Sequence, residues 1–141
     1  VSKYPQPIAD YIQFLNNLTT LKKRKREYSY LNKYLRHEII QGKYGVDKNG
    51  NIAFEPYQRK FKGNIFKNKI DLHLSSSTVK TFFSLEFYIE HIAKDGSVLI
   101  IDEPELNLHP DNQRRIARLL ARLVNAGVDV VISTHSDYII R

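Results

Sequence analysis

Two short apolar runs joined by one amphipathic helix determine the fold class expected for this 141-residue chain. Residues 97–102 (SVLIID) and 128–133 (VDVVIS) are almost continuously apolar, which is typical of strands buried on both faces. Between them, residues 111–125 place Ile116, Leu119, Leu120 and Leu123 on one helical face. Gly127 stands where a helix of this kind ends. A strand, a helix and a second strand in this order predict two parallel strands of an α/β sheet.

The first part of the chain has the pattern of a long helix. Residues 8–40 carry an apolar residue every three to four positions, a stripe made of Ile8, Ile12, Leu15, Leu18, Leu21, Tyr28, Leu31, Leu35 and Ile39. Two helices that break near the basic run at residues 22–26 would give the same pattern. We expect this segment to form an arm or a lid.

A hairpin and a second helix are predicted after this arm. Asn49-Gly50, between two short apolar segments, is a strong signal for a β-hairpin over residues 44–54. Ser and Thr residues precede a helix predicted from about residue 79 to residue 93. We therefore expect a helical arm with a hairpin over residues 1–70 and an α/β part over residues 71–141.

The composition excludes several kinds of protein. The chain has no cysteine, so it forms no disulfide and no thiolate metal site. It has no apolar run of about 18 residues, which excludes a transmembrane helix, and we expect a cytoplasmic protein with no membrane contact. It also lacks methionine, even at position 1, so we expect both ends to lie inside a longer protein.

The net charge of +7 raises the question of an acidic partner. One basic run covers residues 22–26, and a second group consists of Arg59, Lys60, Lys62, Lys67 and Lys69. Such groups bind nucleic acid in many proteins, so DNA is a possible partner. No aromatic pattern suited to base stacking accompanies either group, which favours solvated surfaces instead.

Chemically useful side chains follow each predicted strand. Asp102 and Glu103 end the first strand, and the carboxyl ends of parallel strands are where ligands bind. Asp102 offers oxygen ligands to Mg²⁺, while Glu103 is suited to deprotonate an attacking water. His135 follows the second strand at the same predicted edge and can hydrogen-bond a γ-phosphate. The alternatives are an ordinary acidic turn and a structural histidine.

Two further motifs flank this edge. Residues 74–78 (LSSST) place hydroxyls and free N–H groups at a helix start, which can bind an anion or simply cap the helix. Residues 106–110 (LNLHP) form a loop in which Asn107 and His109 can contact a facing subunit.

In this order the four motifs resemble those of the ABC-type ATPases of the SMC, RecF and OLD branch. Residues 74–78 are similar to the signature motif, 97–103 to Walker B, 106–110 to the D-loop, and His135 to the switch histidine. DEPELNLHP followed by STHSDYII is especially similar to AAA-type ATPases related to OLD nucleases and to phage-defence ATPases. The resemblance covers residues 71–141 well and residues 1–70 only weakly.

The resemblance implies a parallel-sheet P-loop NTPase half-domain that uses ATP and Mg²⁺. It implies a metal-binding Asp102, catalytic roles for Glu103 and His135, and a head-to-tail pairing with a second copy of the ATPase domain. It also implies that the nucleotide and the partner are contacted by Ser75, Ser76, Ser77, Asn107 and His109.

Two departures from the family pattern qualify these expectations. Ser76 and Ser77 stand where the family's signature has glycines, and no G-x-x-x-x-G-K-[ST] phosphate loop occurs in the chain. We therefore expect no ATPase activity from this chain alone. The alternatives are a nucleic-acid-binding or dimerisation module with idle ATPase motifs, and an unrelated phosphohydrolase with Asp102, Glu103, His109 and His135 as metal ligands.

Overall fold

The structure is a computed structural model that describes residues 13, 28–46, 51–57, 69–71 and 76–140, without the side chains of Val46 and Ser77. Its described elements are, in order, α1 (Ser29–Tyr34), β1 (Gly42–Val46), β2 (Ile52–Pro56), β3 (Ile70–Asp71), α2 (Ser77–Phe87), β4 (Val98–Asp102), α3 (Pro110–Asn125), β5 (Asp129–Ser133) and α4 (Asp137–Ile140). Wider π-helical turns extend α1 through Leu35–Ile39 and α2 through Tyr88–Ile92.

The predicted strand–helix–strand unit is confirmed. β4 and β5 pair in parallel, and their last residues, Asp102 and Ser133, are partners in the register. Helix α3 connects the two strands, and its predicted apolar face is buried. The backbone turns at Gly127, which has a φ of 86° that other residues rarely adopt.

The predicted full burial of these strands is wrong. Leu99 and Ile101 pack against the core from one face of the β4–β5 sheet. On the other face, Ile100 is 75% exposed and Val131 is 55% exposed. The reason is that, among the described residues, helices and core side chains cover only one side of this sheet. The sheet therefore presents an apolar surface to solvent.

The described part of the predicted arm is helical and belongs to the main core. Leu31 and Leu35 are fully buried in the same cluster as Phe82, Phe83 and Ile116. Arg36 reinforces this packing, because it forms ion pairs with Glu86 and Glu90 of the α2 segment at 2.6 and 2.9 Å. The rest of the predicted helix lies outside the described residues, except for the helical Gln13.

The predicted hairpin is also confirmed. β1 and β2 pair antiparallel with Val46 opposite Ile52. The Asn-Gly pair of the turn, like the basic run at residues 22–26, lies outside the described residues. The short strand β3, which the sequence did not predict, pairs with β2. Tyr44 and Phe54 join the core, since the Tyr44 ring contacts Phe83 at a centroid distance of 5.4 Å.

Helix α2 begins with the predicted serine cap. The side-chain oxygen of Ser76 accepts a hydrogen bond from the Val79 N–H at 3.3 Å, so the helix starts two residues before the predicted position. In the part of the chain that is described, every helix is too short or too polar to cross a membrane.

Candidate functional site

The carboxyl ends of β4 and β5 are tied together by hydrogen bonds. The Ser133 hydroxyl donates to a carboxylate oxygen of Asp102. The backbone N–H of Glu103 donates to the Ser133 carbonyl oxygen at 3.1 Å and lies 3.3 Å from its hydroxyl oxygen. Ser133 therefore fixes both acidic residues at the edge of the sheet where parallel strands bind ligands.

His135 lies next to Glu103. Its Nε2 atom is 3.4 Å from Oε1 of Glu103, and its side chain is 89% exposed. Glu103 has a φ of 44°, in the left-handed region that costs energy for a residue with a side chain. The strand-end geometry thus brings a carboxylate and an imidazole together on an open surface. Such a pair can accept a proton from water and donate a hydrogen bond to a phosphate oxygen.

The carboxylate of Asp102 has the donor chemistry that Mg²⁺ prefers. Its carboxylate is solvent-exposed and is oriented by the Ser133 hydroxyl. Mg²⁺ commonly takes one or two protein carboxylates and completes its shell with water and phosphate oxygens.

The alternative of a metal-dependent phosphohydrolase gains no support from the geometry. Asp102, Glu103, His109 and His135 are all described, and no three acidic or histidine residues in the described ranges form a group that could hold a metal ion.

Glu105 anchors the backbone of the loop that carries His135. Its Oε1 atom accepts a hydrogen bond from the Thr134 hydroxyl at 2.6 Å and another from the His135 N–H at 2.9 Å. Burial alone would raise the pKa of the Glu105 carboxyl, but hydrogen bonds from Thr134 and from backbone N–H groups outweigh it. They hold this pKa below its usual value. The carboxylate is therefore charged near neutrality although it is only 8% exposed.

Gln113 of α3 connects the same two loops from another direction. Its amide nitrogen donates to the Leu108 carbonyl oxygen at 2.9 Å, and its amide oxygen accepts from the Ser136 hydroxyl at 2.6 Å. The loop of residues 103–109, which we name the acidic loop, is thereby joined to the loop of residues 134–136, which we name the histidine loop.

Asn107 and His109 lie in the acidic loop and are exposed. Asn107 adopts a φ of 60°, which places its backbone in the left-handed region. His109 is the residue that caps α3, because its Nδ1 atom accepts a hydrogen bond from the Asp111 N–H at 3.3 Å. Its side chain therefore has a local structural role in addition to the predicted contact with a partner.

Of the predicted signature serines, the structure describes Ser76 and the backbone of Ser77. Ser75 lies outside the described residues, and the backbone of Ser77 forms the first turn of α2. Ser76 is exposed, and the hydrogen bonds described for it, with Val79 and Lys80, are within its own helix. The structure thus groups Asp102, Glu103 and His135, while the described contacts of Ser76 belong to α2.

The sequence analysis missed Glu105, Gln113 and Thr134. Glu105 was assigned no role, because the hydrogen-bond donors to its carboxylate come from Thr134 and His135, beyond the end of a distant strand. The only local signal for Glu105 is that an acidic residue follows Pro104. Such a signal does not show that the carboxylate is buried.

Comparison with known proteins bears on the family and the fold of the chain. The family model of the AAA ATPase domain matches residues 5–140. The Old nuclease of Escherichia phage P2 is 44% identical over 43 residues, which are 30% of this chain and 7% of that protein. The chain thus spans only a small part of the curated relative that it matches.

Two solved structures have a similar fold. One belongs to a study of ATP-driven dimerization and DNA-stimulated activation of SMC ATPases. It gives a TM-score of 0.56 at 14% identity, over 94% of this chain and 75% of that chain. The other is an Smc head bound to the C-winged helix domain of ScpA, with a TM-score of 0.58 at 14% identity over 92% of this chain and 37% of that chain. Together with the parallel β4–β5 pair, they identify the fold as that of a P-loop NTPase half-domain.

Proposed function

Because the chain belongs to the AAA ATPase domain family, we propose that it supplies the water-activating side of an ATP-hydrolysing site. The observation that carries this proposal is the 3.4 Å approach of His135 Nε2 to Glu103 Oε1 at the edge of a parallel sheet. A carboxylate and an imidazole in this position provide an acceptor for the proton of water and a donor for a phosphate oxygen.

Glu103 is the proposed general base. As the oxygen of water bonds to the γ-phosphorus, the bond from that phosphorus to the bridging oxygen breaks, and Glu103 accepts the proton of water. Its left-handed backbone, with a φ of 44°, supports a functional role because strain of this kind often occurs at active sites.

His135 is proposed to steady the γ-phosphate. Its imidazole is exposed beside Glu103, so it can donate a hydrogen bond to a phosphate oxygen without leaving the base. A donor that is already in place stabilises the charge of the transition state without reorganising at the moment of reaction.

Asp102 is proposed to hold Mg²⁺, and Ser133 orients its carboxylate for that role. The ion would neutralise negative charge on the phosphates when it is bound.

The proposed site needs a phosphate loop that this sequence does not contain. We propose that the chain alone does not hydrolyse ATP and that a P-loop and a second ATPase domain, paired head to tail, complete the site. In that pair, Ser75, Ser76 and Ser77 would face the partner's ATP, and Asn107 and His109 would couple the two sites. The ATP-driven dimerization described for SMC ATPases supports such a pairing.

The output of the ATPase is proposed to be a DNA-related or defence activity. Its support comes from the DNA-stimulated activation described for SMC ATPases and from the similarity to the Old nuclease.

The test uses the protein that contains both this chain and a P-loop. Glu103→Gln is expected to lower the rate of ATP hydrolysis by about 100-fold or more, because an amide cannot accept the proton. ATP binding, measured by calorimetry, is expected to stay within a few-fold of the original. The matched control is Glu38→Gln, which changes an exposed acid away from the site. Unchanged hydrolysis in Glu103→Gln would remove Glu103 from this role.

A further inference from the structure

The backbone of His135 is held more firmly than its side chain. The imidazole is 89% exposed, so packing does little to restrict it. The His135 N–H, in contrast, donates at 2.9 Å to Glu105, a carboxylate that is 8% exposed. The position of the imidazole relative to Glu103 therefore depends on how firmly Glu105 holds the histidine loop.

The Thr134 hydroxyl is the central point of this anchor. It donates to Oε1 of Glu105 at 2.6 Å and accepts a hydrogen bond from the Ser136 N–H at 3.1 Å. One hydroxyl thus connects the buried carboxylate to the residues on both sides of His135. The other carboxylate oxygen of Glu105, Oε2, is buried with no hydrogen-bond partner in the described part of the chain. Losing the donors at Oε1 would leave the buried charge poorly compensated.

Gln113 extends the connection to the part of the acidic loop that contains Asn107 and His109. Its amide joins the carbonyl of Leu108, which lies between those two residues, to the Ser136 hydroxyl. A displacement of the Leu108 carbonyl is therefore transmitted to Ser136, the residue that follows His135. The connection consists of two hydrogen bonds made by the Gln113 amide.

We propose that Glu105, Thr134 and Gln113 are positioning residues that clamp the histidine loop to the acidic loop, so that contacts made at Asn107 and His109 set the position of His135 beside Glu103. This inference rests on the proposed ATPase function. It adds a physical route by which a partner facing the acidic loop controls turnover. Each of the three residues acts through the position of the histidine loop.

The first experiment compares Thr134→Val with Thr134→Ser in the protein that contains this chain and a P-loop. Valine keeps the shape of threonine but removes the hydroxyl, whereas serine keeps the hydroxyl. We expect Thr134→Val to lower kcat for ATP by about tenfold or more with little change in KM, because misplaced groups lose rate before they lose binding. Thr134→Ser is expected to keep kcat within about threefold of the original.

The second experiment measures the clamp without using activity. Hydrogen exchange of the His135 backbone N–H is followed by mass spectrometry or NMR in the same protein, in the original and in Glu105→Leu. We expect clearly faster exchange in Glu105→Leu, since the N–H loses its acceptor. Glu105→Gln keeps an acceptor oxygen and is expected to retain more of the protection. Gln113→Leu is expected to lower kcat as Thr134→Val does, because it removes the link to Leu108.

These outcomes separate the clamp from the ATPase proposal. If Glu103→Gln stops hydrolysis while Thr134→Val and Gln113→Leu keep a normal kcat, the clamp is overturned and the ATPase function stands. Unchanged His135 exchange in Glu105→Leu would overturn the clamp even if that variant were inactive. An equal loss of kcat in both Thr134 variants would assign Thr134 to packing and not to positioning.

Discussion

The imidazole of His135 and the carboxylate of Glu103 lie 3.4 Å apart, although they follow different strands. The register of the two strands explains this approach, since Asp102 and Ser133 are the last paired residues of β4 and β5. Glu103 comes directly after β4, and His135 comes two residues after β5. Hydrogen bonds fix the ends of both strands. The site is therefore a direct consequence of parallel pairing.

This proximity predicts that Glu103 and His135 act as a unit. In the protein that contains this chain and a P-loop, Glu103→Gln and His135→Ala are each expected to lower the rate of ATP hydrolysis strongly. The double variant is expected to hydrolyse ATP almost as fast as the slower of the two single variants, because the effects of residues that act together are not additive. A steady-state assay of phosphate release on all four proteins checks this. Fully multiplicative effects would mean that the two residues act separately.

The two faces of the β4–β5 sheet predict different costs for the same substitution. Ile100→Thr changes a side chain that is 75% exposed and is expected to alter the free energy of unfolding by less than about 0.5 kcal/mol. Ile101→Thr places a hydroxyl against the core and is expected to cost about 1–3 kcal/mol. Urea unfolding of both variants provides the measurement. Equal costs would mean that both faces of the sheet are covered in solution.

The sequence predicted the elements of the fold better than it predicted their burial. The apolar stripe of Ile116, Leu119 and Leu123 and the turn at Gly127 located α3, because helix periodicity and helix ends are local signals. The exposed face of Ile100 and Val131 escaped prediction, since a continuous apolar run does not show how many layers cover a sheet. Burial is a property of tertiary packing.

The candidate site shows the same division. Asp102, Glu103 and His135 were expected at one edge because each follows a predicted parallel strand, and the structure places them together. Glu105 and Gln113 were missed because their partners, Thr134 and Ser136, come from a distant part of the chain. No spacing rule connects such residues before the strands are paired.

The lowered pKa of Glu105 predicts a dependence of stability on pH. Its carboxylate has a lower pKa in the folded protein than the ordinary value of 4.5, so ionised Glu105 stabilises the fold above that pH. The contribution is lost as the pH falls below 4.5 and through the lower pKa of the folded state. We therefore expect the stability difference between the original and Glu105→Gln to shrink as the pH is lowered from 7 toward about 3. Urea unfolding at several pH values measures it, and a constant difference would contradict the assignment.

The ion pairs of Arg36 join the helical segment that precedes the hairpin to the α2 segment, and removing them is expected to lower the stability of the fold. Arg36 contacts Glu86, whose side chain is 2% exposed, and Glu90, whose side chain is 18% exposed. Burial would lower the pKa of the Arg36 guanidinium, but the two carboxylates outweigh it and raise this pKa. Arg36→Met would remove the guanidinium that pairs with the buried Glu86 carboxylate, and we expect a loss of about 2–4 kcal/mol in the free energy of unfolding. The control is Lys43→Met, which removes an exposed pair with Glu55 at 3.4 Å and is expected to cost about 0–1 kcal/mol. Similar losses in the two variants, measured by urea unfolding, would show that the Arg36 pairs are no stronger than a surface contact.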